Sequence, residues 1–460
     1  MTATSQKLNI GVVGLGRMGQ RHALNVLYRV PRASLHSVCS VNPDEIKWAR
    51  EHLAIEGVRI FGEFLEMVRS PGLDAVIIAS PTELHVQHTF AAISEGLHVL
   101  CEKPVTTDMS LFRRLFEALE KKPSVKVMIG FVRRFDEEYR AATRKIHEGA
   151  IGDPVIVRSQ GAEKLDTSGF TTNYLRNSGG IFVDTVVHDI DLTLSFLGEN
   201  VRPKSLWAAG LNTHHHYLAE VRDVDNAVGV VEFWDGKIAY YYHSRTTAHG
   251  YDNCTEIIGT EGKISINLVP HVNRVQVSNA SGLLQDATPG WIDRYSEAFV
   301  TELEQFTDAI LDGNELPLRL QSAYRGLEIA LCLQESLRTG CKIDFNEDGR
   351  RKMIVGNLIP KGPTNKNVVA HGNYAYRMTD FGLSLEERIR SYQASVVADP
   401  KYSGFDTQML RVLEYVGAHA ETTTTMFRFE VADFMCNKDG VLHGGAASTM
   451  KVVFQIVRDS

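Results

Sequence analysis

The sequence predicts an α/β protein: a doubly wound parallel sheet first, then an α+β domain on a mostly antiparallel, open sheet. Three observations carry that prediction. Up to about residue 131, short apolar runs alternate with helix-patterned segments, the grammar of a parallel sheet. The first run leads directly into Gly14-Leu15-Gly16-Arg17-Met18-Gly19, which opens a helical segment. Past residue 132, runs rich in Val, Ile and Tyr follow one another through Asp-Gly and Glu-Gly turns, as antiparallel strands do.

Taken in order, residues 8–14 (LNIGVVG) read as a buried strand, followed by a helix to about Tyr28. A second strand runs from Ala33 to Val41, and a helix from about Pro43 to Leu53. VRIF, DAVIIAS (74–80), HVLCE (98–102) and KVMIGF (126–131) are further strand-like runs, with helical VQHTFAAISEG before HVLCE. These residues, 1–131, form the expected first domain. The second, 132–349, opens with the helix DEEYRAATRKIHEG and the extended run PVIVRSQGA. It continues through VGVVEFWDGKIAYYYHSR, CTEIIGTEGKISINL and NRVQVSN, and closes with helices around 293–312 and 321–338. Residues 350–367 have linker chemistry, with Pro, Gly and Lys in PKGPTNKN, and 368–460 form a third region.

Composition is that of a soluble globular protein, with 43% hydrophobic and 23% charged residues. A net charge of -7 gives no reason to expect nucleic acid or an anionic membrane as partner. The six cysteines include no CxxC pair, so free thiols in a reducing compartment are expected rather than a disulfide framework or zinc site. MTATSQKLNI holds no signal core and no apolar run reaches membrane-spanning length, so a cytoplasmic location is expected.

In the glycine turn, Gly14 permits the tight bend, Gly16 lets backbone approach a pyrophosphate, and Gly19 allows close helix–strand packing. The helix N-terminus favours phosphate charge, so a Rossmann-type dinucleotide site is expected. An acidic residue closing the second strand would bind the ribose 2′-hydroxyl of NAD, but Cys39-Ser40-Val41-Asn42 stands there. Neutral Ser40 does not repel a 2′-phosphate and no Arg follows it, so NAD and NADP both stay open. Lys103, in CEKP at the end of a strand, lies where such sheets bind ligands. In GGIFVDTVVHDIDL (179–192), apolar positions follow helical spacing, while Asp184, His188 and Asp191 make a second stripe. Two readings of Asp184 and His188 stay open on spacing alone: a buried polar pair, or a base whose carboxylate orients it. A metal pair finds no supporting His or Cys cluster, and His214-His215-His216 reads as a loop or strand without one.

GLGRMGQRH, IASPTELHVQH, CEKP, GFVRRFD and GGIFVDTVVHDIDL occur in this order. Over about residues 8–349 they resemble the glucose–fructose oxidoreductase / inositol dehydrogenase / MocA (Gfo/Idh/MocA) family, nearest its inositol 2-dehydrogenases. The resemblance implies an NAD(P)-dependent dehydrogenase that oxidises a secondary alcohol of a cyclic polyol or sugar to a ketone. It implies cofactor contacts at Gly14, Gly16, Arg17, Met18, Gly19, Ser40, Ser80, Thr82, His85 and Glu102. Lys103, Asp184 and His188 would be the catalytic residues, with Arg133, Asp191 and Tyr251 beside them as substrate ligands. QGAEKLDTSGF does not carry the His and Asn expected of an inositol-binding wall. A homo-oligomer, dimer or tetramer, is also implied, built on the open face of the second sheet.

SGFDTQML followed by FRFEVADFMCNKDGVLHGGAASTM resembles the front half of hot-dog-fold acyl-CoA thioesterases, through Asn437, Gly440, His443, Gly444 and Gly445. The acidic residue expected of the central helix falls near apolar Val452, so a partial, inactive hot-dog-like tail is expected. Acyl-CoA hydrolysis by this tail and a catalytically silent dinucleotide sensor are the alternatives. A sensor needs no proton-transfer groups, which the trio of Lys103, Asp184 and His188 supplies.

Overall fold

The computed structural model describes residues 6–167, 172–273 and 275–352, and the backbone of three later strands. Residues up to Lys352 form one compact unit and those from Met353 a second.

The first sheet is built from β1 (Leu8–Val13), β2 (Ala33–Cys39), β3 (Arg59–Phe61), β4 (Ala75–Ile78), β5 (His98–Glu102) and β6 (Val127–Gly130). Its order is β3-β2-β1-β4-β5-β6, with every pairing parallel. The helices between them are α1 (Arg17–Tyr28), α2 (Pro43–His52), α3 (Phe64–Val68), α4 (Thr82–Ser94) and α5 (Met109–Glu120). β4 is buried along its whole length, as expected of a strand covered by helices on both faces. Strand order reverses between β1 and β4, the position where open α/β sheets bind ligands beyond the carboxyl ends of their strands. α5, whose start is capped by Asp108 accepting from Ser110 N, was not among the elements expected from sequence.

A 3-10 turn, Val132–Phe135, and α6 (Glu137–His147) lead into the second part. There follow β7 (Pro154–Lys164), α7 (Thr172–Asn177), a π-helical turn (Phe182–Val186) and α8 (Val187–Leu197). Then come β8 (Pro203–Leu211), β9 (Asn226–Phe233), β10 (Ile238–Thr247), β11 (Asp252–Gly259) and β12 (Lys263–Ile266). An exposed hairpin, β13 (Val277–Asn279) and β14 (Gly282–Leu284), precedes α9 (Trp291–Arg294), α10 (Ser296–Leu311), α11 (Leu320–Thr339) and β15 (Ile343–Asp344). The sheet order is β12-β11-β7-β10-β9-β8-β15. It is antiparallel throughout except for β7 against β10, which run parallel. Ala239 and Tyr241 of β10 point into the core while Ile238 and Tyr240 stay exposed, the period of a sheet covered on one face.

α10 lies late in the sequence but packs on the first domain. Arg32 reaches Asp308 and Asp312 at 2.6 Å each, Arg29 pairs with Glu297, and His22 meets Phe299 edge to face.

The second unit contributes β16 (Asn367–Asn373), β17 (Leu413–His419) and β18 (Thr424–Glu430), an antiparallel sheet with β18 central. The thioesterase-like residues Asn437, Gly440, His443, Gly444, Gly445 and Val452 lie outside the described residues.

Candidate active site

A cavity of about 650 Å³ opens beyond β1 and β4 and is lined by residues of both domains. On the first-domain side, Gly14 has φ +81, and a Cβ there would sit 2.6 Å from Ala79 O and Ser80 N. A Cβ on Gly19 would lie 1.7 Å from Gly14 O, so only glycine lets the α1 terminus pack this close. The site Gly16 leaves open meets only Glu45 Oε1, at 3.6 Å. The bend at Gly14 and the close packing at Gly19 suit a dinucleotide pyrophosphate against the α1 N-terminus, with Glu45 on the β2 side of the turn, bonded to Ser40. Arg17, Met18, Ser80, Thr82, His85 and Glu102 line the cavity beside it. Arg17 lies over the Trp291 ring, 5.1 Å from its centroid. His85 is buried, its ring nitrogens 2.7 Å and 2.9 Å from the carbonyl oxygens of Ser80 and Pro104, so it ties two cavity loops together. Glu102 is held by His22 at 2.7 Å.

Ser40 is buried and is absent from the cavity wall. Its hydroxyl accepts from Asn42 N and donates to Glu45 Oε2 at 2.6 Å, while Leu15 N donates to that same oxygen at 2.9 Å. The carboxylate that β2 itself lacks is therefore delivered to the glycine turn by α2.

On the far wall, Gly179 and Gly180 both have positive φ, and Gly180 O accepts from Val183 N and Asp184 N. Phe182 N and Ile181 N donate to Gln334 and Asp223 side chains, which anchors the π-helical turn. That turn brings Asp184 and His188 to the cavity together with Lys103 from the end of β5. Lys103 Nζ donates to Asp184 O at 2.6 Å and to Asp184 Oδ1 at 3.2 Å. Tyr174 and Arg245 also bond Asp184, and Arg245 continues to Asp223. Burial works against the Asp184 carboxylate, but Lys103 and Arg245 outweigh it and hold it below the usual range.

The imidazole of His188 is not paired with Asp184: among the described residues its Nδ1 has no hydrogen-bond partner. Spacing alone left such a pair open; the structure commits Asp184 to Lys103, Tyr174 and Arg245 instead. Burial, then the Lys103 and Arg133 charges, push His188 well below the ordinary imidazole value, so it is neutral at neutral pH.

Arg133 lines the cavity, bonding Asp189 at 2.8 Å and the Tyr251 hydroxyl at 3.1 Å; Tyr251 lines it too. Asp191 departs from the expectation. It does not reach the cavity: both its oxygens grip Arg134, at 2.6 Å and 2.9 Å. Arg133 and Arg134 are neighbours on one 3-10 turn and aim at different aspartates, so Asp191 spends its acceptors inside the fold.

Asp189, a buried hub for Arg133, Ser159 and His243, was not among the residues expected from sequence. Neither were Glu163, Tyr174, His215 and Arg245, which line the cavity. Burial and then the Asp184 charge raise the Glu163 carboxyl, while burial lowers the His215 imidazole. Alternation along β10 offered a signal for Arg245, two residues beyond inward-facing His243. No group of His, Cys, Asp and Glu fit to hold a metal occurs among the described residues.

Residues 8–131 match the family described as an oxidoreductase family with an NAD-binding Rossmann fold, and residues 139–265 match the GFO/IDH/MocA C-terminal domain. The scyllo-inositol 2-dehydrogenase (NAD(+)) of Bacillus subtilis is 32% identical over 346 residues, which is 74% of this chain and 97% of that protein. The myo-inositol 2-dehydrogenase of Thermotoga maritima is 28% identical over 340 residues, covering 74% and 99%. Among solved structures, scyllo-inositol dehydrogenase from Lactobacillus casei, with bound NAD(H) and scyllo-inositol, is similar at 32% identity and TM-score 0.70. That likeness covers 74% of this chain and 99% of the Lactobacillus casei chain. With a glycine turn shaped for a dinucleotide and both family domains present, the chain belongs to the Gfo/Idh/MocA family of NAD-binding oxidoreductases.

Proposed function

We propose that the protein is an NAD-dependent dehydrogenase of an inositol-like cyclic polyol, converting one ring CH–OH to a ketone. The observation that carries this reading is the meeting of Lys103, from the cofactor domain, with neutral His188, from the other domain, in one cavity. Bound nicotinamide supplies the hydride acceptor. The His188 imidazole takes the hydroxyl proton, and the Lys103 ammonium stabilises negative charge growing on the carbinol oxygen. Asp184 positions Lys103 through its carbonyl and carboxylate oxygens. Arg133, Tyr251 and Glu163 line the wall with donors and acceptors suited to the other ring hydroxyls.

Two further assignments belong to this reading. Ile156, Trp207, Ile238 and Tyr240 are exposed on β7, β8 and β10, an apolar sheet face that supports a homo-oligomer. The five described cysteines are all free, in keeping with a cytoplasmic location. The thioesterase alternative gains no support, its motif lying outside the described residues.

The test is absorbance of reduced nicotinamide with a panel of inositol isomers and sugars. NAD reduction by at least one inositol isomer is expected, and no turnover with any polyol would overturn the reading. Lys103→Ala should lose about 10²–10⁴-fold in kcat while still folding; near-native turnover by that variant would remove the mechanism.

A further inference from the structure

We propose that Glu45 selects NAD over NADP in this enzyme, taking from α2 the part that Ser40 leaves vacant at the end of β2. The inference rests on the glycine turn being the dinucleotide site.

Glu45 belongs to the first turn of α2, whose N-cap is Asn42. A Glu at that position commonly folds back to its own helix cap. Here it crosses to the glycine turn instead, and Oε2 accepts from Leu15 N at 2.9 Å and from Ser40 Oγ at 2.6 Å. The Ser40 hydroxyl makes one hydrogen bond as donor and one as acceptor. Its oxygen accepts from Asn42 N at 3.0 Å, so its proton goes to Glu45. Ser40 is thus a positioning residue: it holds Oε2 and leaves the other oxygen to the open side of Gly16, 3.6 Å from where a Cβ would stand.

The hydrogen bonds of Glu45 come from Leu15 N and the Ser40 hydroxyl, and no ion pair to it is found among the described residues. Arg17, the cation within the turn, lies over Trp291 on the cavity side. The adenosine ribose of a dinucleotide sits at the end of β2 beside this turn. A lone carboxylate there accepts a hydrogen bond from a ribose 2′-hydroxyl and repels a 2′-phosphate. The serine that made NADP admissible in the sequence is, in the fold, the clamp for the group that rejects it.

Equilibrium binding separates this from catalysis. NADH and NADPH are titrated by nicotinamide fluorescence against the purified enzyme, with thermal unfolding as the control for folding. The native enzyme should bind NADH more tightly. Glu45→Gln keeps the shape and removes the charge, so it should tighten NADPH by about tenfold or more and shrink the ratio of the two Kd values. Ser40→Ala should shrink that ratio part of the way, and Ser40→Thr, which keeps the hydroxyl, should restore it. A Kd ratio unchanged in folded Glu45→Gln overturns the assignment to Glu45 and leaves the dinucleotide site standing. Failure of the native enzyme to bind either dinucleotide overturns both.

Discussion

His188 owes its basic form to its surroundings. Enclosure in the cavity wall and the charges of Lys103 and Arg133 disfavour the imidazolium, so the ring stays a proton acceptor at pH values where a free histidine is protonated. For alcohol oxidation, kcat/KM should stay flat as pH falls through the ordinary imidazole value of 6.5 and decline only well below it. A pH–rate profile with its acid limb centred at that ordinary value would contradict His188 as the base. That Lys103 and His188 lie where a ligand could reach them was legible because strand ends and helix stripes are local patterns, and both line the cavity. Asp191 misled for the same reason, since spacing reports a shared helix face and not what approaches it. The partner that claims Asp191 is Arg134, which is 57 residues away in sequence. Glu45 was illegible because its meaning depends on crossing from one helix to another loop.

The π-helical turn, Phe182–Val186, decides what α8 presents. An extra residue in such a turn rotates the downstream helix by about 100° relative to an unbroken one. A simple helical wheel drawn through 179–192 therefore misplaces the polar stripe. Gly180 makes the turn possible: its φ is +111, and a Cβ would meet the Gln334 amide at 2.2 Å. Gly180→Ala should cost about 1–3 kcal/mol and lower kcat with it, since the same turn places Asp184 and His188. Unchanged denaturation midpoint and kcat in this variant would show the turn to be dispensable. Other elements divide along physical lines. Buried strands such as β4 are continuous apolar runs and were readable, whereas β8, PKSLWAAGL, mixes buried and exposed positions without a clear period. The parallel pairing of β7 with β10 was not readable either, because strand direction is settled by the chain between them and not by either sequence.

At the scale of the whole molecule, α10 carries a buried acid between the domains. Glu302 is 0% exposed and, among the described residues, neither carboxyl oxygen has a hydrogen-bond partner. Burial, and then the charge of Glu102, raise it well above the usual carboxyl range. The folded protein therefore holds a proton that the unfolded chain releases above a pKa of about 4.3. Stability from this group is full below that value and is lost as pH rises toward the raised one. Glu302→Gln should be more stable than the native protein at neutral pH by about 1 kcal/mol or more, and the two should converge near pH 4. An equal difference at both pH values, measured by urea unfolding, would refute the linkage.

The return of α10 to the first domain also bears on how the protein is made. A chain leaving the ribosome has produced every strand of the first sheet by Gly130, yet the helix that covers α1 begins only at Ser296. Until then Arg29 and Arg32 lack their acidic partners and His22 lacks its aromatic neighbour. The nucleotide-binding domain is synthesised before the second domain, yet the helix that covers its α1 comes after most of that domain. The ion pairs of Arg29 and Arg32 therefore need residues made after nearly the whole second domain, so the two domains are separate in sequence but share contacts in the fold.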